Sequence, residues 1–231
     1  MTLTIVGESG APTSDPAATW LLDAIDAHIV QVERPRYRPG WFSASQLGQP
    51  DDVLVAEYRG VYRPEPRTAR EYRIFHNGTS RDEDYKRYLA DAGLSMVADD
   101  AAREIVIPWL RLRGSLDDIA VCPETMEPWL VEIKTINPFA YGRLMEPKPE
   151  HVLQVTAYMA ATTIHQSVVL YENKADQAVR VFAVRFDRQV WTGIVKRLQQ
   201  LRQEAEALDA AMDPDVLAAS RQLAAELAGA V

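Results

Sequence analysis

Apolar and polar positions change period several times along the chain, and each change predicts an element. Alternation of period two predicts strands at 94–97, 104–107, 111–121, 129–133, 167–171 and 178–186. Breakers over 123–128 turn 111–121 and 129–133 into a hairpin. Spacings of three and four predict helices at 53–60 (closed by Gly60), 67–75, 80–92, 149–164 and 188–212. His76-Asn77-Gly78 reads as a turn before the third of these helices, whose Ser80 and Glu83 have capping-box spacing. Asp15 before Pro16 opens a further helix carrying Trp20, Leu21, Ala24, Ile25 and Ile29, and Asp213 before Pro214 opens the last one. Thr2 to Val6 could add a short strand, and 135–147, with Pro138, Gly142 and Pro147, reads as a loop. The expectation is an α/β fold with a mixed central sheet flanked by helices. It divides into an N-terminal segment 1–40 with one helix, a core 41–187, and a helical C-terminal extension 188–231. In that extension Trp191, Ile194, Leu198, Leu201, Ala205 and Leu208 form a stripe that could join two copies or pack on the core.

Three charges interrupt the apolar hairpin: Asp117, Glu132 and Lys134. Glu132 and Lys134 are two apart on a strand and point to one face, with Asp117 able to lie across from them. Two carboxylates and an ammonium on an apolar sheet are costly unless something uses them. A hard divalent cation with oxygen ligands would do so. Asp118 points to the opposite face from Asp117. The alternative is a cross-strand ion pair on a solvated face.

Composition narrows the classes. The 231 residues suffice for a full core, and no apolar run reaches the length of about 18 residues that a membrane helix needs. The first fifteen residues lack the basic stretch and apolar core of a secretory leader, so a cytoplasmic location without membrane contact is expected. Cys122 is alone, which excludes an intrachain disulfide and an iron–sulfur cluster. A net charge of −8 argues against a passive nucleic-acid coat. Arginines cluster locally, at Arg34, Arg36 and Arg38, at Arg59, Arg63, Arg67, Arg70 and Arg73, and at Arg111 and Arg113. They could line a basic groove or simply solvate loops. No glycine-rich phosphate loop, Ser–His–Asp order or zinc pattern supports a small-molecule enzyme.

Gly-Ser-Leu-Asp at 114–117, Glu-Ile-Lys at 132–134, and then Gln154 and Tyr158 resemble the core of the PD-(D/E)XK nuclease superfamily in its RecB-like branch. That branch includes phage exonucleases and CRISPR-associated RecB-like nucleases. The resemblance spans roughly Phe42 to Phe186. Two departures stand out. The Ser-x-Leu element near Phe42 lacks the following cysteine, and Asp82 stands where, counting from Gly78, the branch often has a metal-binding histidine.

The resemblance implies a restriction-endonuclease-like core and a metal-dependent deoxyribonuclease, an exonuclease first, acting in phage or bacterial DNA processing, recombination or repair. It implies Mg²⁺ or Mn²⁺, two ions, held by Asp117, Glu132, the Ile133 carbonyl and Asp82. Lys134 would orient water or stabilise the phosphate, with Gln154 and Tyr158 positioning Lys134 or the phosphate. DNA is the implied partner, contacted through Lys174, Arg143 and Lys148, with a single-strand annealing or single-strand binding protein as a further implied partner, and the chain could form a homo-oligomer. Asp82 could instead be one of several favourable acids in the first turn of a helix, and Lys174 a hairpin solubiliser. A catalytically silent DNA- or protein-binding module on the same fold is the alternative.

Overall fold

The structure, a computed structural model, describes residues 16–32, 37–61, 68–99 and 101–228. Helix α1 (Pro16–Val32), strand β1 (Phe42–Ser43), α2 (Asp51–Arg59) and α3 (Ala69–Asp91) come first. Strands β2 (Glu104–Ile107), β3 (Leu112–Ser115), β4 (Asp118–Val121) and β5 (Pro128–Ile136) follow. Then come α4 (Pro138–Gly142), α5 (Pro149–Thr162), β6 (Gln166–Asn173), β7 (Val179–Arg185), α6 (Arg188–Ala210) and α7 (Pro214–Leu227). The fold is mixed α/β, as the pattern implies, but the sheet is split in two, in the orders β1-β3-β2 and β4-β5-β6-β7.

The split falls inside the expected strand 111–121. Leu116 is buried, and its N–H turns to the Arg103 carbonyl at 3.0 Å. The next residue, Asp117, turns its carboxylate onto the Ile133 N–H at 2.7 Å. One strand therefore leaves the first sheet and enters the second across two residues. The hairpin itself forms, with Asp118 paired to Val131 and Val121 to Pro128.

Helix α3 is one helix where two were expected. It starts at the Thr68–Glu71 capping box, so Ser80 and Glu83 lie well inside it. His76-Asn77-Gly78 does not turn because this stretch lies along β5, where a Cβ at Gly78 would sit 3.4 Å from Thr135 Oγ1. Tertiary packing outweighs a local turn preference of about 1 kcal/mol. Residues 94–97 supply a single bridge, Ser95 to Ala120, instead of a strand. Of the expected loop 135–147, Thr135 and Ile136 belong to β5, and Asn137 caps the short α4 through its bond from Ala140 N–H at 2.8 Å.

Parallel pairing of β5 with β6 sets Glu132 beside Val169 and Lys134 beside Tyr171. Those residues share one face of the sheet, and Thr135 and Glu172 share the other. Helix α5 covers the first face through Gln154 on Glu132, and α3 covers the second through Tyr85 on Glu172.

The stripe on α6 buries Ile194, Leu198, Leu201 and Ala205 against the chain's own core, beside α2 and α5. It is core packing rather than a surface for a second copy, with Leu208 left outside. The apolar residues of α1 behave differently: Trp20, Leu21 and Ile25 are exposed. Among the clustered arginines, Arg59 is tied to Asp209 and Arg113 to Glu104. Asp15, the segment from Thr2 to Val6, and Arg34, Arg36, Arg63 and Arg67 lie outside the described residues. Among the described residues no helix is long and apolar enough to cross a membrane.

Candidate active site

The site assembles at the break between the two sheets. Glu132 is buried, and its Oε1 accepts from Gln154 Nε2 at 2.7 Å and forms an ion pair with Lys134 Nζ. Gln154 Nε2 also lies 3.0 Å from the Tyr158 hydroxyl, which donates to the Ser115 carbonyl at 3.0 Å. A ladder thus runs from Glu132 through Gln154 and Tyr158 to the end of β3. Sequence reading assigns Gln154 and Tyr158 to Lys134 or the phosphate, whereas here they hold Glu132 and Ser115.

The ladder accounts for Gly114. A Cβ there would fall 2.8 Å from the Tyr158 ring, 2.9 Å from its hydroxyl and 3.0 Å from Ala44 Cβ. The glycine three residues before Asp117 is required because the buried tyrosine occupies that space.

Three carboxylates interact with the Lys134 ammonium. Burial, then Asp117, raises the Glu132 pKa to about 8. Burial raises Asp117 too, against the opposing pull of Lys134 and the Ile133 N–H. Asp82, brought in from mid-α3, is raised to about 7 by burial and then by Asp117, with Lys134 and Lys86 opposing. For Lys134 burial favours the neutral form, but Glu132, Asp117 and Asp82 together outweigh it and raise its pKa. Asp82 therefore belongs to the desolvated cluster, and it is not in the first turn of a helix.

Among the described residues no three His, Cys, Asp or Glu side chains stand ready to enclose a metal ion. Asp117 accepts from the Ile133 N–H, and Glu132 is engaged by Lys134 and Gln154. Yet Glu132 Oε2 is buried without a hydrogen-bond partner. Asp117 is only partly buried. An orphaned carboxylate oxygen and a cluster of oxygen donors fit a hard divalent cation.

Each of the expected DNA contacts has a neighbour of its own in the protein. Arg143 stacks on the Phe139 ring at 3.9 Å, and Lys148 Nζ lies 3.8 Å from Glu150. Lys174 Nζ donates to the Ile74 carbonyl at 3.3 Å, so it pins α3 to the β6–β7 turn. Sequence reading misses Glu172, a buried acid that accepts from the Tyr85 hydroxyl at 2.8 Å and pairs with Arg81 at 3.3 Å. This clamp fixes the turn of α3 that carries Asp82. Its only signal is the i, i+4 pair Arg81 and Tyr85. On the opposite face of the hairpin Asp118, fully buried, accepts from Ser95 Oγ at 2.8 Å and lies 3.7 Å from Arg103.

The split mixed sheet, covered by helices on both faces, is similar to the folds of several solved structures. The alkaline exonuclease LHK-Exo from Laribacter hongkongensis superposes with TM-score 0.53 at 18% identity, over 83% of this chain and 96% of that one. The same enzyme in complex with dAMP gives TM-score 0.54 at 16% identity, over 81% and 96%. The protein SSO0001 gives TM-score 0.51 at 12% identity, over 79% and 86%. These likenesses establish the fold. No family model matches the chain, and no curated protein matches it in sequence.

Proposed function

We propose that the chain is a metal-dependent deoxyribonuclease working as an exonuclease, with its reaction centre at Asp117, Glu132 and Lys134. One observation carries the reading: a buried Glu132 with a bare oxygen stands against two further raised carboxylates and a protonated lysine. The neighbour described with dAMP supports DNA as the substrate.

Asp117, Glu132 and the Ile133 carbonyl would hold Mg²⁺ or Mn²⁺, with Asp82 serving a second ion. Such an ion would supply a water of lowered pKa and positive charge for the scissile phosphate. Lys134 is held protonated by its three acidic neighbours, so it stabilises charge on the phosphate rather than taking a proton. Gln154 fixes the Glu132 carboxylate, and Tyr158 ties Gln154 to the backbone at Ser115.

Incubation with linear duplex DNA in Mg²⁺ or Mn²⁺, with an EDTA control, tests the reading. Metal-dependent release of nucleotides from linear DNA, with closed circles spared, is the expected result. Binding without cleavage would mark a silent module instead, a reading favoured by the inward-turned carboxylates.

A further inference from the structure

The mechanism above leaves one side chain on the site face of α5 unused. His151 lies one helical turn before Gln154 and on the same face. Gln154 stands over Glu132, and His151 stands over the next position along the sheet. Its Nδ1 is 2.7 Å from the hydroxyl of Tyr171, the strand neighbour of Lys134.

The hydrogen bonds fix the tautomer. Tyr171 is fully buried, and its hydroxyl accepts the Lys148 N–H at 2.9 Å. The tyrosine's own proton needs an acceptor, and His151 Nδ1 provides it. The imidazole proton then sits on Nε2. Among the described residues no protein group takes up that N–H. Burial, then the charges of Lys134 and Lys148, lowers the His151 pKa to about 3, so the ring is neutral across the working range. A neutral imidazole in this tautomer donates a hydrogen bond but is too weak an acid to protonate a leaving group.

We infer that His151 is a further catalytic residue of this site, donating a hydrogen bond from Nε2–H to a non-bridging oxygen of the phosphodiester held beside Lys134. The inference rests on the nuclease reading. Lys134 supplies charge without direction, and His151 supplies direction without charge. No proton is transferred and no covalent bond forms at the ring. The Tyr171 hydroxyl is a positioning group that holds the tautomer.

The test compares wild type, His151→Ala, His151→Gln and Tyr171→Phe on linear duplex DNA with Mg²⁺. His151→Ala should lose about 10²-fold in kcat with little change in KM, the cost of removing one preorganised donor. His151→Gln, which keeps a neutral donor, should recover most of that loss, and Tyr171→Phe should fall between. The acid limb of the kcat pH profile should not move in any variant, because the ring carries no titration there. Nitrogen NMR of the metal-free protein at neutral pH should find the Nε2–H tautomer. A kcat in His151→Ala equal to wild type, a loss in His151→Gln as deep as in His151→Ala, or an Nδ1–H tautomer would each overturn the inference and leave the nuclease reading intact. A wild-type protein that cleaves no DNA with either metal overturns both.

Discussion

Asp117 and Asp118 are adjacent in the chain, and the two faces of the β4–β5 hairpin treat them differently. On one face Asp118 is closed off from water, with Ser95 Oγ donating to both its oxygens and Arg103 nearby. On the other face Asp117 interacts with Glu132 and Asp82, and Lys134 is the cation common to all three acids. Both faces bury carboxylate. Only one leaves a carboxylate oxygen without a partner. Incomplete neutralisation, rather than burial, is what separates a candidate reaction centre from a structural polar cluster.

The comparison breaks most visibly under substitution. Glu132→Ala or Asp117→Ala should reduce DNA cleavage by more than roughly 10³-fold while circular dichroism remains that of the wild type. Full activity in Glu132→Ala would dissolve the distinction between the faces. The mirror experiment is Asp118→Ala, which should leave turnover per folded molecule within a few-fold but cost about 3 kcal/mol in urea denaturation by stranding Arg103 and Ser95. A loss of turnover without a loss of stability would move Asp118 into the site.

A pH series sharpens the contrast on a smaller scale. The folded pKa values of Glu132, about 8, and Asp82, about 7, lie above those of unfolded carboxyl groups. The folded state therefore binds protons more tightly, and stability is greatest at the acid end. It declines as pH rises from about 4.5 through 8, by on the order of a few kcal/mol in the metal-free protein. Mg²⁺ should reverse the decline, and Glu132→Gln should flatten it. A stability that climbs toward pH 8 without metal would contradict the electrostatics of this face. The smallest effect is expected at the periphery. Asp82→Asn should raise metal-free stability by about 1 kcal/mol through relief of like charge, and raise the Mg²⁺ needed for half-maximal cleavage several-fold. Asp82→His should shift preference toward Mn²⁺. An unchanged metal titration in Asp82→Asn would remove this side chain from the site.

The proximity of Glu132 and Lys134 was legible because strand alternation is local, and Asp117 came with it through the hairpin. Gln154 and Tyr158 shared a face by helical spacing alone. Three things were hidden. The break at Leu116 and Asp117 leaves the alternation undisturbed, because an apolar and an acidic residue continue the period while the chain changes sheet. The course of α3 through Gly78 depends on β5, far along the chain, and the turn-like tripeptide points the other way. Glu172 reads as the start of a loop, since its partners Arg81 and Tyr85 lie on a distant helix.

The ladder from Glu132 to Ser115 also bears on how the protein comes to exist in a cell. Its bonds join residues 22 and 43 positions apart, and the clamp that seats Asp82 spans 87. Contacts of such separation close late in folding, after local helices and hairpins have formed. A nascent or partly folded chain would hold the acids and the lysine without their arrangement. The arrangement of the acids and the lysine would then arise only with the last long-range contacts.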